Sequence, residues 1–293
     1  MISADLAVCM ALAPAVSATP AVSSASPDAS PLATAYTRLA EVFPSLQVVE
    51  GPPRTGAGWV TAADLAAGGE AVDYFLAEES KLLSEYGTPG RPDVVAGFGL
   101  HRYAWAACLL ITLPWFLLNR VPRVPVEAVS YHRGIGRMTL WTDGFACLPD
   151  DPAAGSPLAR VVPDAEALRA EVRSAVAEHL APVMEGFRPR MRRGRRALWG
   201  MATDEIVEGL WYIAHLLDEE RRAMAELGML LPGSTDPYVG GSSFRQLTGP
   251  QGESLPTRDR ASCCLYYTMR PEATCVTCPR TCDEERVSRL TTG

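Results

Sequence analysis

The sequence predicts an α+β fold rich in helix: a mostly helical body containing a small antiparallel β meander, followed by a C-terminal lobe built around cysteines. Three observations predict it. Long segments on both sides of the centre carry apolar residues at helical spacing. Residues 126–149 switch to short β-type runs broken by glycine. Four cysteines then crowd into residues 263–278, after a stretch rich in Gly, Pro and Ser. The boundaries that follow are a disordered Ala/Ser/Pro-rich extension over 1–31, a helix-rich body over 32–249 and a cysteine-bearing segment over 250–293.

The extension has the mild hydrophobicity of an export signal but lacks its charge pattern. No Lys or Arg precedes Arg38, and Asp5 stands where a positive region belongs. Residues 31–43 have the apolar spacing of a first helix. Thr61 is placed to cap a second, which runs towards Tyr86 with Leu65, Val72, Phe75, Leu82 and Leu83 on its buried side and stops at Gly87-Thr88-Pro89-Gly90. A third covers about 92–119. Its run Trp105–Leu118 is uncharged but holds 14 residues, short of the roughly 20 needed to span a bilayer. It reads as a buried core helix, with peripheral membrane contact as the alternative.

The meander comprises VEAVSYH, RGIG, RMTLWT, the Asp143-Gly144 turn and FACLP. After a linker at 150–157, Asp164 to Met184 form an amphipathic helix with Leu168, Val172, Val176, Leu180 and Val183 as its stripe and Pro182 as a kink site. A long helix follows from Arg195 to Leu227, with Gly228 as its stop. Residues 231–256 read as a loop that delivers the cysteine tail.

A hydrophobic share of 47% in 293 residues can fill one large core or two smaller ones. The net charge of −7 speaks against a nucleic-acid binder. Cys9, Cys108 and Cys147 are scattered and read as small hydrophobes, which fits a reducing, cytoplasmic compartment. There is no Ser/His/Asp arrangement, no GxGxxG opening a helix and no P-loop. His101, His132, His179 and His215 are not paired at metal-ligand spacing and read as structural.

Cys263, Cys264, Cys275 and Cys278 form the pattern Cys-Cys-x10-Cys-x2-Cys. Four thiols within sixteen residues of a cytosol-like chain point to a metal or iron–sulfur site rather than a disulfide framework. Adjacent cysteines in extended chain point to opposite faces, which suits two irons better than one tetrahedral ion. Cys278-Pro279 echoes the close of common ferredoxin runs. The spacing favours a 2Fe–2S cluster and leaves a four-cysteine zinc site open. Cys282 is a neighbouring fifth thiol that could compete as a ligand. The lobe is too small to be stable alone, so metal binding is expected to contribute to its folding.

The motif and its flanks resemble the FhuF-like ferric siderophore reductases. Arg260 precedes the cysteine pair, Leu265-Tyr266-Tyr267 follows it, and Cys278-Pro279-Arg280 closes it. The segment Arg195–Ile206 is similar to a Leu-Trp-Gly helix of that family, with Met201 where family members often carry Asn. The similarity extends over roughly 35–282, with its specific part in the cysteine tail. It implies a 2Fe–2S cluster held by the four cysteines and one-electron reduction of ferric iron in a siderophore, most often a hydroxamate. With no flavin or nicotinamide motif visible, electrons are expected from a donor protein such as a ferredoxin.

Six arginines between 188 and 196 suggest a basic collar for an acidic donor or an anionic iron complex, with a solvated loop as the plainer reading. Arg192, Arg193, Arg195, Arg196 and Trp199 are the binding candidates, although core packing also explains Trp199 and Trp211. Arg260 is a candidate for stabilising the cluster's negative charge. Two other functions compete: a zinc-stabilised binding protein and an iron–sulfur carrier or sensor without a siderophore site. The roughly 200-residue body ahead of the tail argues for substrate binding.

Overall fold

The computed structural model describes residues 30–84, 90–270 and 274–292. Residues 1–29 of the expected extension and residues 87–89 of the expected helix stop lie outside them.

In chain order the elements are α1 (Ala33–Val42), β1 (Gln47–Glu50), β2 (Trp59–Thr61), α2 (Ala62–Ala67), α3 (Gly69–Ser84), α4 (Pro92–Leu118), β3 (Arg120–Pro122), β4 (Val129–His132), β5 (Arg137–Leu140), β6 (Phe145–Cys147) and β7 (Ala159–Val161). Then follow α5 (Ala165–Phe187), α6 (Arg195–Leu216), α7 (Glu220–Leu230), β8 (Phe244–Thr248), β9 (Ser254–Arg258) and α8 (Asp283–Thr292). The fold is α+β and rich in helix. The chain divides into two compact units: residues 30–72 with 106–186, and residues 73–105 with 187–292.

The first unit carries two small sheets. One has the order β1-β5-β4-β2, in which β4 and β5 form the expected antiparallel hairpin through Gly136. Gly136 is required there, since its φ is +59° and a Cβ would lie 1.9 Å from the Ser45 carbonyl oxygen. The third expected meander strand does not join this sheet. Strand β1 occupies the free edge of β5 in parallel, and β6 pairs instead with β3 and β7. The Thr142 hydroxyl helps redirect the chain by donating to the carbonyls of Arg123 and Gly144, both at 2.8 Å.

Thr61 caps α2 as expected, accepting from the Asp64 N–H at 3.0 Å. The single helix expected from Thr61 is broken in two at Gly68 and Gly69, whose φ values are +80° and +62°. The stripe of α5 is buried from Leu168 to Val183. Its start is held by the Asp164 carboxylate, which accepts from the Ala167 N–H at 2.8 Å.

The second unit contains the cysteine tail. Residues 92–105 of α4 belong to this unit and 106–118 to the first, and its apolar window is entirely buried within the protein, as a core helix should be. The long helix expected over 195–227 is two helices, divided where Asp218 adopts a left-handed φ of +61°. Trp211 Nε1 donates to Glu220 across that break at 2.9 Å. Gly228 therefore lies inside α7 rather than ending a helix. Residues 231–256 are not all loop, because β8 and β9 form an antiparallel hairpin with Leu247 opposite Leu255. Each histidine has a structural neighbour: Glu205 for His101, the Val124 carbonyl for His179, Glu220 for His215 and the Trp59 ring for His132.

Candidate metal centre

Helix α6 is buried around most of its circumference from Leu198 to Ala214, yet it carries Asp204, Glu205 and Glu208 in that interior. Buried carboxylates persist only when they are paired. Arg258, the last residue of β9, supplies the pairing. Its guanidinium donates to Asp204 at 2.8 Å, to Glu208 at 3.0 Å and to the Ser242 carbonyl at 3.0 Å. This anchor fixes where β9 ends and the cysteine segment begins.

The chain next passes over the Asp204 carboxylate, which accepts from the N–H groups of Ala261 and Ser262, both at 2.8 Å. That hold presents Cys263 and Cys264 in a half-buried turn. Leu265 then takes a left-handed φ of +67° and directs its N–H towards Cys263 Sγ at 3.4 Å.

Residues 275–278 form a knuckle in which the Cys278 N–H donates to the Cys275 carbonyl at 3.0 Å. The Arg280 N–H points at Cys278 Sγ at 3.4 Å, and the Thr277 hydroxyl lies 3.9 Å from Cys275 Sγ. Thr277 also donates to Glu208 at 2.7 Å. Helix α8 secures this half from behind. Buried Arg286 donates to the carbonyls of Cys278, Thr281 and Arg258 at 3.1, 3.2 and 3.2 Å.

The two halves meet. The Cys263 thiol is lowered to about 7, chiefly by a hydrogen bond from the Cys278 thiol, while Cys278 is raised by the same contact. Cys275 also bonds Cys278, and Arg260 senses the charge of both Cys275 and Cys264. Among the described residues, no three His, Cys, Asp or Glu side chains converge on a point suited to one metal ion. The donor set nevertheless fits thiolate ligation of a cluster. The thiols of Cys263 and Cys275 both meet that of Cys278, Cys264 follows Cys263 in the same turn, and two backbone N–H groups and a guanidinium are directed at sulfurs of the set, the kind of contact that tunes Fe–S centres.

Residues 260–280 match the family model described as the FhuF 2Fe-2S C-terminal domain. The tail is a 2Fe–2S segment of the FhuF type. The matched residues begin at Arg260 and include the four motif cysteines. No curated protein matches the chain.

The other expected site residues separate. Arg193 donates to the Cys263 carbonyl and belongs to the site's frame. Arg195 and Arg196 are exposed in the first turn of α6. Trp199 is a core residue, 6% exposed and edge-on to Tyr238. Trp211 is buried against Phe244. Cys282 is exposed, unlike Cys275 and Cys278.

Arg192 lines a cavity of about 600 Å³, together with Asp73, Ser80, Asp93 and Arg190. Gly90 and Val95 form part of its wall. A Cβ on Gly90 would lie 3.0 Å from Met269 Sδ, and Met269 packs in the apolar cluster that also holds Tyr266 and Cys264. Val95 thus belongs both to the cavity wall and to the apolar cluster against which Cys264 packs.

The groups missed in the sequence are the side chains of Asp204, Glu208, Arg258 and Arg286 and the hydroxyl of Thr277. The acidic residues left a legible trace, because three carboxylates in the apolar stretch of α6 demand buried cations.

Proposed function

We propose that the chain is a cytoplasmic 2Fe–2S ferric-siderophore reductase that delivers one electron to Fe(III) in a siderophore, most simply a hydroxamate, and releases Fe(II). The observation that carries this reading is the FhuF-type tail, with a cavity of about 600 Å³ whose wall residue Val95 shares an apolar cluster with Cys264. Cys263, Cys264, Cys275 and Cys278 would hold the cluster through their thiolates. A 2Fe–2S cluster supplies electrons singly and needs no hydride machinery.

The protein's own groups prepare the site. The N–H groups of Leu265 and Arg280 face the sulfurs of Cys263 and Cys278 and favour their charged form. The cavity offers Ser80 and exposed Arg192 as polar contacts, beside the paired Arg190 and Asp73. Its mixed charge suits a complex whose ligand charges are largely neutralised by the metal. Reduction weakens the grip of hard oxygen donors on iron, so release follows electron transfer. The exposed Arg192, Arg195 and Arg196 provide a basic surface for an acidic one-electron donor such as a ferredoxin.

The test uses anaerobically purified protein. Expected are two irons and two acid-labile sulfides per chain, a visible spectrum bleached by dithionite, saturable binding of a ferric hydroxamate, and Fe(II) captured by a chelator after reduction. One zinc without sulfide would instead support a four-cysteine binding protein. An intact cluster with no ferric-complex binding would support an electron carrier or sensor.

A further inference from the structure

We propose that Arg260 sets the reduction potential of the cluster and that Asp204 and Glu208 govern both its position and its effective charge. The inference rests on the 2Fe–2S reading and adds to it a tuning device outside the four cysteines. Arg260 is 8% exposed, and its Nη1 lies 4.0 Å from Cys275 Sγ. Glu208 holds that same nitrogen at 3.3 Å, and Asp204 stands 3.7 Å from its Nε. A guanidinium keeps its charge at any ordinary pH, and the carboxylates of Glu208 and Asp204 beside it offset the cost of burying it.

Asp204 and Glu208 are four residues apart on α6 and so share one face. From that face Asp204 grips the backbone just before the cysteine pair, and Glu208 grips the knuckle through Thr277. Arg258 and Arg260 each interact with both carboxylates. Two cations and two anions therefore form a balanced, buried quartet with one member directed at a cluster sulfur.

The sign follows from charge. Reduction adds one negative charge, and a nearby buried cation favours the reduced state because little water screens it. Neutralising Arg260 leaves the carboxylates in excess and disfavours reduction. Neutralising Glu208 leaves the arginines in excess and favours it. A purely structural quartet predicts no such opposition.

The experiment is an anaerobic redox titration of the loaded, full-length protein, read by its visible spectrum. Wild type must first show two irons, two sulfides and reductive bleaching; failure there overturns the cluster reading itself. In Arg260→Gln the reduced-to-oxidised ratio at fixed poise is expected to fall about tenfold, a midpoint lower by about 59 mV for a one-electron couple. In Glu208→Gln it is expected to rise about tenfold. Arg260→Lys keeps the charge without the fork and is expected to stay within about threefold of wild type. Unchanged potentials, or shifts of one sign in both neutral variants, overturn the proposal. If only one neutral variant takes up the cluster, its shift decides alone. If neither does while both apoproteins keep the wild-type far-ultraviolet circular dichroism, the quartet only places the thiols and the tuning role falls.

Discussion

Arg258 Nη2 lies 2.8 Å from Asp204 Oδ1, and both side chains are fully buried. This pair joins the end of the β8–β9 hairpin to the middle of α6, and everything downstream of it is the metal-binding tail.

Removing one partner of such a pair leaves an uncompensated buried charge, which costs about 3–5 kcal/mol. Arg258→Ala is therefore expected to destabilise the apoprotein by that amount in urea unfolding. It should also impair cluster uptake, since Asp204 loses its fixed place under Ala261 and Ser262. A loss below about 1 kcal/mol would show that the pair does not anchor the tail.

The ligand set predicts an asymmetry between neighbouring thiols. Cys264→Ser should abolish the visible chromophore, while Cys282→Ser, at an exposed position, should keep it. Iron and sulfide analysis of the two variants checks this. A coloured Cys264→Ser protein with full iron and sulfide would overturn the assignment.

Ala77 lines the cavity on its α3 side and is itself exposed. Ala77→Trp should fill the space and weaken ferric-complex binding at least tenfold, about 1.4 kcal/mol, with an unchanged cluster spectrum. Binding titration followed by absorbance tests it. Wild-type affinity in the variant would move the substrate site elsewhere.

His179 provides the pH dependence. It is buried and its pKa is lowered from 6.5 to about 4, burial being the main cause, while its ring bonds the Val124 carbonyl. The folded state therefore binds the proton less readily than the unfolded chain. The part of the stability that depends on His179 is intact above pH 6.5, falls as the pH drops from 6.5 towards 4, and changes no further below that. The gap corresponds to about 3 kcal/mol. His179→Asn cannot take up this proton and should lose less stability between pH 7 and pH 4.5 in urea unfolding. Parallel losses in the two proteins would exclude His179 as the cause.

Helix placement was legible where periodicity was long and uninterrupted. The stripe Leu168–Val183 and the apolar run of α4 fix helices that the structure reproduces within a few residues. The breaks were less visible. Gly68-Gly69 was a readable signal, whereas Asp218 divides α6 from α7 in a left-handed conformation that no local residue pattern demands. The β8–β9 hairpin was obscured by the Gly and Pro of its own turn, although FRQLT and SLPTR flank Gly249-Pro250-Gln251-Gly252 as paired strands should. Strand β6 was recognised as a strand but assigned to the wrong sheet, because pairing across long separations is decided by which edge is free.

By itself the sequence determined the chemistry of the tail. Cys-Cys-x10-Cys-x2-Cys specifies four thiol donors close along the chain, and their number, type and spacing favour a two-iron cluster independently of the body. It also determined a helix-rich fold, because apolar periodicity is a local property. Tertiary structure alone decided what surrounds the sulfurs. Asp204 and Glu208 lie some fifty to seventy residues before the groups they hold, and only the packing of α6 under β9 and the knuckle makes them partners of Arg258, Arg260 and Thr277. A charge read in sequence has a sign but no neighbour, and in a buried site the neighbour determines what that charge does.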